Sequence, residues 1–461
     1  MNTETIRTDR DQMTVRGPSS SGRLLTIGWA ASVAMWAIAY VTMMGPGLAV
    51  GELLVALMAL ALGFAGYIAA RTGGGRSSLA QGVRVGLISA AVNLLLVGSL
   101  FGAKDSIDLG VAARWVLALF GFSVVFAAIG AALGGRAASR SATASAAAAP
   151  PRLIHWPGVF AMVAVAATLL LLMSGGLVTG LRAGLAVPDW PNSFGHNMLL
   201  YPLSEMKGGI YYEHAHRLYG MLVGLTTIVL VALVWRTDGR RWLRMLSLVA
   251  LAIVIVQGML GALRVTGTFT LAESGEALRP NTWLGIAHGV FGQLVFSTLF
   301  VMAAAMSWRW ISAGPAAPHD AARRDRILTL VSLAALLLHL SLGVCYRHLR
   351  TWHEPPAWAL HGHLTMAVVV TVLLVIVALR SISLYPDQPK LAKVGKAVLG
   401  MVGLQFVLGF AALAAVMVWR EPPLPTLGVV VSTAHQSVGA LILAHVALLA
   451  AWERRLTRVA A

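Results

Sequence analysis

Apolar residues run along this chain in long stretches broken by short polar segments. Stretches near 20 residues match the apolar thickness that a helix must cross in a bilayer. They fall at 23–45, 48–70, 82–102, 110–134, 156–180, 212–235, 243–264, 282–308, 327–346, 358–380, 394–418 and 427–452. The pattern predicts an all-α polytopic membrane protein with about 12 transmembrane helices. The first stretch is long and lacks a small-residue cleavage site, so it reads as a span and not as a cleaved signal.

Composition agrees with that reading. Of 461 residues, 58% are hydrophobic and 11% are charged, against about 25% charged in a soluble globular chain. Mean hydropathy is +0.77. These values exclude a disordered chain, a soluble enzyme and a nucleic-acid-binding domain. The net charge of +17 reads as orientation and not as a nucleic-acid patch, because the basic residues are spread between the apolar runs. One set of loops is basic: Arg7, Arg10 and Arg16; Arg71 and Arg76; Arg136, Arg140 and Arg152; Arg240, Arg241 and Arg244; Arg323, Arg324 and Arg326; Lys390, Lys393 and Lys396. By the positive-inside rule these loops and both termini are cytoplasmic, and the 181–211 loop lies on the other side. The expected location is a bacterial cytoplasmic (inner) membrane.

Residues 135–152, rich in Ala and Ser and ending in Pro, read as a flexible linker. They separate an N-terminal four-helix region, 1–134, from eight later helices. The first four contain no histidine; Glu52, Lys104 and Asp105 are among their few ionisable residues. A packing or assembly role is expected of them. The remainder divides into two four-helix units, 153–310 and 311–461.

An internal repeat relates those units. Gln257-Gly-Met-Leu-Gly261 in the seventh span matches Gln405-Phe-Val-Leu-Gly409 in the eleventh, 148 residues on. His216 and His363 are 147 apart, as are His288 and His435. Each histidine opens the pattern His-x-x-x-small, ending at Gly220, Gly292, Ala367 and Gly439. The small residue lies one turn along the same helix face and leaves room for something flat beside the imidazole. Ionisable groups inside a membrane are costly and mark function. Bundle interiors build cofactor sites from facing side chains, and imidazole ligates heme iron. Zinc or copper wants more convergent ligands. Two histidines with glycines therefore suit heme better than a bare metal; the alternative is four histidines that only bond between helices.

The densest polar cluster is Glu213-His-Ala-His216-Arg217. Glu213, His216 and Arg217 share one helix face. The position matching Glu213 in the second unit is Leu360, so the units are chemically unequal. Glu213 is either an acid or base beside a macrocycle or the ion-pair partner of Arg217; Arg217 can also pair with a heme propionate. His361 competes with His363 as ligand, and the repeat favours His363. His214, Tyr211 and Tyr212 read as interfacial residues. His339 reads as a helix–helix hydrogen bonder and His445 as structural. His348, Arg350 and His353 read as a solvated outer loop that can alternatively meet propionates. Trp190 reads as an interfacial anchor or a lid. Cys345 is the single cysteine, which excludes a disulfide or Cys-x-x-Cys motif within the chain.

Over about residues 155–455 the chain resembles the heme A synthase family of cytochrome oxidase assembly factors. The carrying motifs are Glu213-x-x-His216-Arg217, Gly175-Gly-Leu-Val-Thr-Gly180 ahead of Gly184-Leu-Ala-Val-Pro-Asp-Trp-Pro191, Gln257-x-x-Leu-Gly261 with His288, and Gln405-x-x-Leu-Gly409 with His435. The resemblance implies two pseudosymmetric four-helix bundles. The first would bind the substrate, heme O, near His216, His288 and Arg217, with Glu213 at the reacting edge. The second would hold a cofactor heme b between His363 and His435. The ring's C8 methyl would be oxidised to a formyl by successive hydroxylations, giving heme A, with electrons leaving toward an acceptor that the sequence does not name. Membrane lipid, heme O synthase and cytochrome oxidase assembly factors are the implied partners; nucleic acid is not. Some family members carry an outer-loop cysteine pair, which this chain lacks. A diheme b-type electron carrier without ring chemistry and a histidine-relay transporter are the rival readings.

Overall fold

The computed structural model describes residues 20–44, 51–73, 77–101, 109–144, 154–266, 281–352, 356–419 and 424–460. Arg7, Arg10, Arg16, Arg76, Lys104, Asp105, Arg152 and His353 lie outside them. Helices are α1 (Ser20–Met43), α2 (Gly51–Arg71), α3 (Ser78–Phe101), α4 (Leu109–Ala144), α5 (Trp156–Gly180), α6 (Gly209–Thr237), α7 (Arg241–Thr266), α8 (Thr282–Ala305), the one-turn α9 (Trp308–Ile311), α10 (Ala322–Trp352), α11 (Ala357–Ser383), α12 (Pro389–Val418) and α13 (Thr426–Leu456). All but α9 are long and apolar enough to cross a membrane, at the positions the hydrophobic pattern predicts. Large apolar side chains such as Leu60, Phe64, Val368 and Phe410 point outward, as only lipid tolerates.

Helix starts follow local chemistry. His155 accepts the Gly158 amide ahead of α5, and Asn281 accepts the Leu284 amide ahead of α8; such caps satisfy amides that have no intrahelical partner. Pro356, Pro389 and Pro425 stand at the starts of α11, α12 and α13, where a missing N–H costs nothing. The linker expectation changes in part. α4 continues to Ala144, because Ala-rich sequence propagates a helix once one is nucleated; residues 145–153 fall outside the described residues.

Three helical groups result. α1–α4 pack together, with backbone contact at Gly66, Gly82, Gly86 and Gly130, the close approach that small residues allow in lipid. α5–α8 form the first repeat unit and α10–α13 the second; they meet where α5 and α8 pack on α13 and α10. A Cβ at Gly176 would lie 2.7 Å from Thr433 Cγ2, and one at Gly180 would lie 2.5 Å from Val429 Cγ1. This glycine pair seats α5 on α13.

The N-terminal group is bolted to the first unit through α1. Trp29 Nε1 donates to Thr226 Oγ1 at 2.8 Å, and Tyr211 Oη donates to the Tyr40 carbonyl at 2.7 Å. Trp36 meets Tyr219 edge to face at 5.4 Å. Tyr211 is buried in this seam, which corrects its reading as an interfacial residue: the extra helices cover the face that lipid would otherwise bathe. On the side carrying the basic loops, strand β3 (Ala317–His319) pairs in parallel with β4 (Thr457–Val459).

Valine at Gly176 forces α5 from α13, whereas Gly121 has open space around it. Gly176→Val is expected to cost about 1–3 kcal/mol by overpacking, read as a lower melting temperature of the detergent-solubilised protein. Gly121→Val is expected to leave that temperature unchanged.

Candidate heme-binding sites

Each unit places two imidazoles across a gap. The rings of His216 and His288 have centroids 6.3 Å apart at 77°; those of His363 and His435 are 6.2 Å apart at 80°. An imidazole nitrogen ligates a first-row metal at about 2.0–2.1 Å and lies ~1.1 Å from its ring centre. Two imidazoles on opposite sides of one metal ion therefore have centroids about 6.2–6.4 Å apart. Both pairs match that spacing.

Each imidazole has its own glycine. A Cβ at Gly175 would lie 2.9 Å from His216 Cε1, and one at Gly343 would lie 2.8 Å from His363 Cε1. At Gly261 and Gly409 the distances are 3.5 Å to His288 Cε1 and 3.2 Å to His435 Cε1. Side chains at these positions would push the rings into the gap. The small residue four positions after each histidine serves differently from the expectation. Gly292 and Gly439 accommodate the amides of Gln257 and Gln405, and Gly220 has nothing near it. Those glutamines come from α7 and α12, so the repeated Gln-x-x-x-Gly turn meets its histidine through both ends: Gln257 Nε2 donates to the His288 carbonyl at 2.9 Å, and Gln405 Nε2 lies 3.4 Å from His435 Nε2.

The ring nitrogens are anchored in parallel ways. His216 Nδ1 lies 2.9 Å from Ser174 Oγ, and His363 Nδ1 lies 3.0 Å from the His339 carbonyl. Anchoring Nδ1 leaves Nε2 available to ligate a metal. Nδ1 of His288 and of His435, and Oε1 of Gln257 and of Gln405, are buried without partners. Orphaned buried polar atoms are costly, and here they recur at matched positions in both units. A cavity of about 320 Å3 in the second unit is lined by His339, Gly343, His363, Gln405, Gly409 and His435, within the roughly 300–1,000 Å3 of ligand pockets. His361 is exposed while His363 faces His435.

The first unit adds acid and base. Glu213 and Arg217 pair at 3.1 Å, each 7% exposed. Arg217 also donates to the carbonyls of Val187, Asp189 and Asn192 at 2.7, 2.6 and 3.1 Å. Its fork is thus engaged with the 181–208 loop as well as Glu213. Within that loop β1 (Asn192–Ser193) and β2 (His196–Asn197) form a hairpin. Phe194 and Gly195 both have positive φ, 53° and 78°, as a two-residue hairpin turn requires. The Asp189 carboxylate accepts both amides at 2.8 Å and so offsets the strain at Phe194. Burial alone would raise the Asp189 carboxyl; these amides and Arg217 outweigh it and hold the group below its ordinary value. His214 is fully buried beneath the loop, 3.1 Å from Ser193 Oγ, which corrects the interfacial reading. Trp190 is 46% exposed.

Further polar residues surfaced only in three dimensions. His348 and Arg350 were expected in a solvated loop, but α10 continues to Trp352 and buries both. His348 packs against Gly285 of α8 beside Arg264. Arg347 reaches from α10 to the Gly176 carbonyl at 2.5 Å and to Gln436, tying the units together. The sequence signal was a basic residue inside an apolar span, at Arg264 and Arg347. His339 makes its ring contact by stacking, not by the expected hydrogen bond: it lies 4.0 Å from His363, 7° from parallel. His445 bonds its own helix at the Leu441 carbonyl, 2.8 Å away.

Residues 194–362 match the family model described as cytochrome oxidase assembly protein (COX15-CtaA). The match covers well under half of the chain, and over that stretch the chain is similar to this family. A heme A synthase of Lysinibacillus sphaericus (strain C3-41) is 33% identical over 126 residues, which is 26% of this chain and 39% of that relative. The chain thus spans about two fifths of the relative's length. The matched stretch contains Glu213, His216, Arg217 and His288 and ends one residue before His363.

The loop contacts generate a pH prediction. A carboxyl held low in the folded state contributes stability above its unfolded value, near 3.8, and loses it as pH falls through the folded value. Limited proteolysis of the 181–208 loop is expected to be flat from neutral pH downward and to rise only at acid pH below that point. Asp189→Asn should flatten that acid rise, and Arg217→Gln should raise cleavage at every pH.

Proposed function

We propose that this chain is a heme A synthase: an oxidoreductase that converts heme O to heme A for cytochrome oxidase biogenesis by oxidising the C8 methyl to a formyl. The observation that carries the reading is the pair of matched imidazole gaps, of which the first, among the described residues, has a carboxylate, Glu213, one helical turn from its histidine. The first unit binds heme O between His216 and His288, and the second holds heme b between His363 and His435. When bound, heme b supplies a one-electron acceptor within the membrane. The protein's own residues do the rest. Glu213 takes a proton or orients water at the reacting methyl. Arg217 pairs with Glu213 and closes the 181–208 loop over it, which excludes bulk water; it therefore acts on substrate through the loop. Membrane lipid surrounds the helices, both termini are cytoplasmic, and the membrane is the bacterial cytoplasmic one. Heme O synthase and cytochrome oxidase assembly factors are the expected partners.

The near-identical geometry of the two pairs also suits a diheme electron carrier, and Glu213 separates the readings. Expression in a host that makes heme O but not heme A is expected to yield extractable heme A, and Glu213→Gln is expected to lower that yield by about 10²–10⁴-fold. Heme O alone, extracted alongside well-folded protein, would contradict the proposal. Unchanged turnover in Glu213→Gln would favour the carrier.

A further inference from the structure

The two imidazole gaps differ in what stands behind one ligand. Gly175 and Gly343 occupy matched places against His216 and His363. Counting back from each glycine, Ser174 matches Leu342, and Leu171 matches His339. The first unit thus has a hydroxyl on His216 Nδ1 and an aliphatic chain one turn earlier. The second has no hydroxyl there and an imidazole one turn earlier, stacked flat on His363 at 4.0 Å and 7°. His339 Nδ1 is buried without a partner, and the residue lines the second cavity.

We propose that His339 is a positioning residue for His363 and makes the second site rigid where the first is compliant. The proposal rests on the reading that the second cavity binds heme. Three contacts confine the His363 ring: the His339 carbonyl holds Nδ1, Gly343 meets the Cε1 edge, and the His339 ring covers one face. Rotation of His363 about its Cβ–Cγ bond would drive it into the stacked ring. The ligand plane is therefore fixed, and Nε2 stays aimed at His435. His216 shares the glycine at its Cε1 edge and a backbone contact at Leu171, so the facing ring is what it lacks, and its Ser174 hydroxyl can rotate and serve as donor or acceptor. A site that must take in substrate and release product needs that latitude. A site that only passes electrons gains from having none, because a fixed ligand field does not reorganise on reduction.

The test uses the full chain, purified with its resident heme for spectra and stripped of heme for the binding titration. His339→Leu removes the stacked ring; His339→Phe keeps a flat ring without the nitrogens. His339→Leu is expected to retain a low-spin spectrum, to bind added heme about 10-fold more weakly, and to show a broadened low-spin resonance in electron paramagnetic spectra. His339→Phe is expected to restore the parent's line width and affinity. Parent-like spectra and affinity in His339→Leu would overturn the proposal. Loss of the low-spin signal in both variants, as expected for His363→Ala, would also overturn it, by making His339 a ligand. Folded parent protein that takes up no heme would instead overturn the reading beneath it.

Discussion

An imidazole buried in a helical bundle has two polar nitrogens to satisfy, and the eight-helix part handles this twice in the same way. In each unit one histidine is fixed through Nδ1 by the helix behind it, at Ser174 or the His339 carbonyl, and presses its Cε1 edge on a glycine. The opposing histidine packs on the glycine of a Gln-x-x-x-Gly turn. The result is two rings set about 6 Å apart with nitrogens left over. Much of the remaining architecture serves that spacing. Gly176 and Gly180 let α5 sit close on α13, Arg347 ties α10 to α5, and the 181–208 loop is fastened over Glu213 by Arg217.

The asymmetry between the units is as informative as their likeness. Glu213, Arg217 and the hairpin loop belong to the first unit alone, whereas the second has Leu360 opposite Glu213 and only a short connection between α10 and α11. His339 belongs to the second alone. A carboxylate under a clamped loop suits chemistry on a bound ring, and a stacked, confined imidazole suits electron transfer. The N-terminal helices take part indirectly. By fastening Trp29 to Thr226 and Tyr40 to Tyr211, they brace α6, the helix that carries Glu213 and His216.

Much of this was legible in the sequence. The twelve spans follow from apolar stretches alone, and the spacing of His216, His288, His363 and His435 exposed the repeat. That His363, and not His361, faces His435 also followed from register. What escaped depends on packing between elements. Gly343 was hidden as the partner of Gly175 because the first unit's outer loop is longer: these glycines are 168 residues apart, while their histidines are 147 apart. The burial of His348 and Arg350 depended on how far α10 extends. The burial of His214 and Tyr211 depended on the loop and on α1, which cover an otherwise open face. Arg217 looked available to a ligand because its carbonyl partners lie up to 30 residues away in sequence.

The central claim is that each imidazole pair clasps a macrocycle, with the resident one in the second unit. The most direct measurement is the optical spectrum of the purified protein and of single-histidine variants. A low-spin b-type spectrum that persists in His216→Ala and disappears in both His363→Ala and His435→Ala is the predicted result. A spectrum unaffected by His363→Ala and His435→Ala in folded protein, or one lost only in His216→Ala, would contradict it.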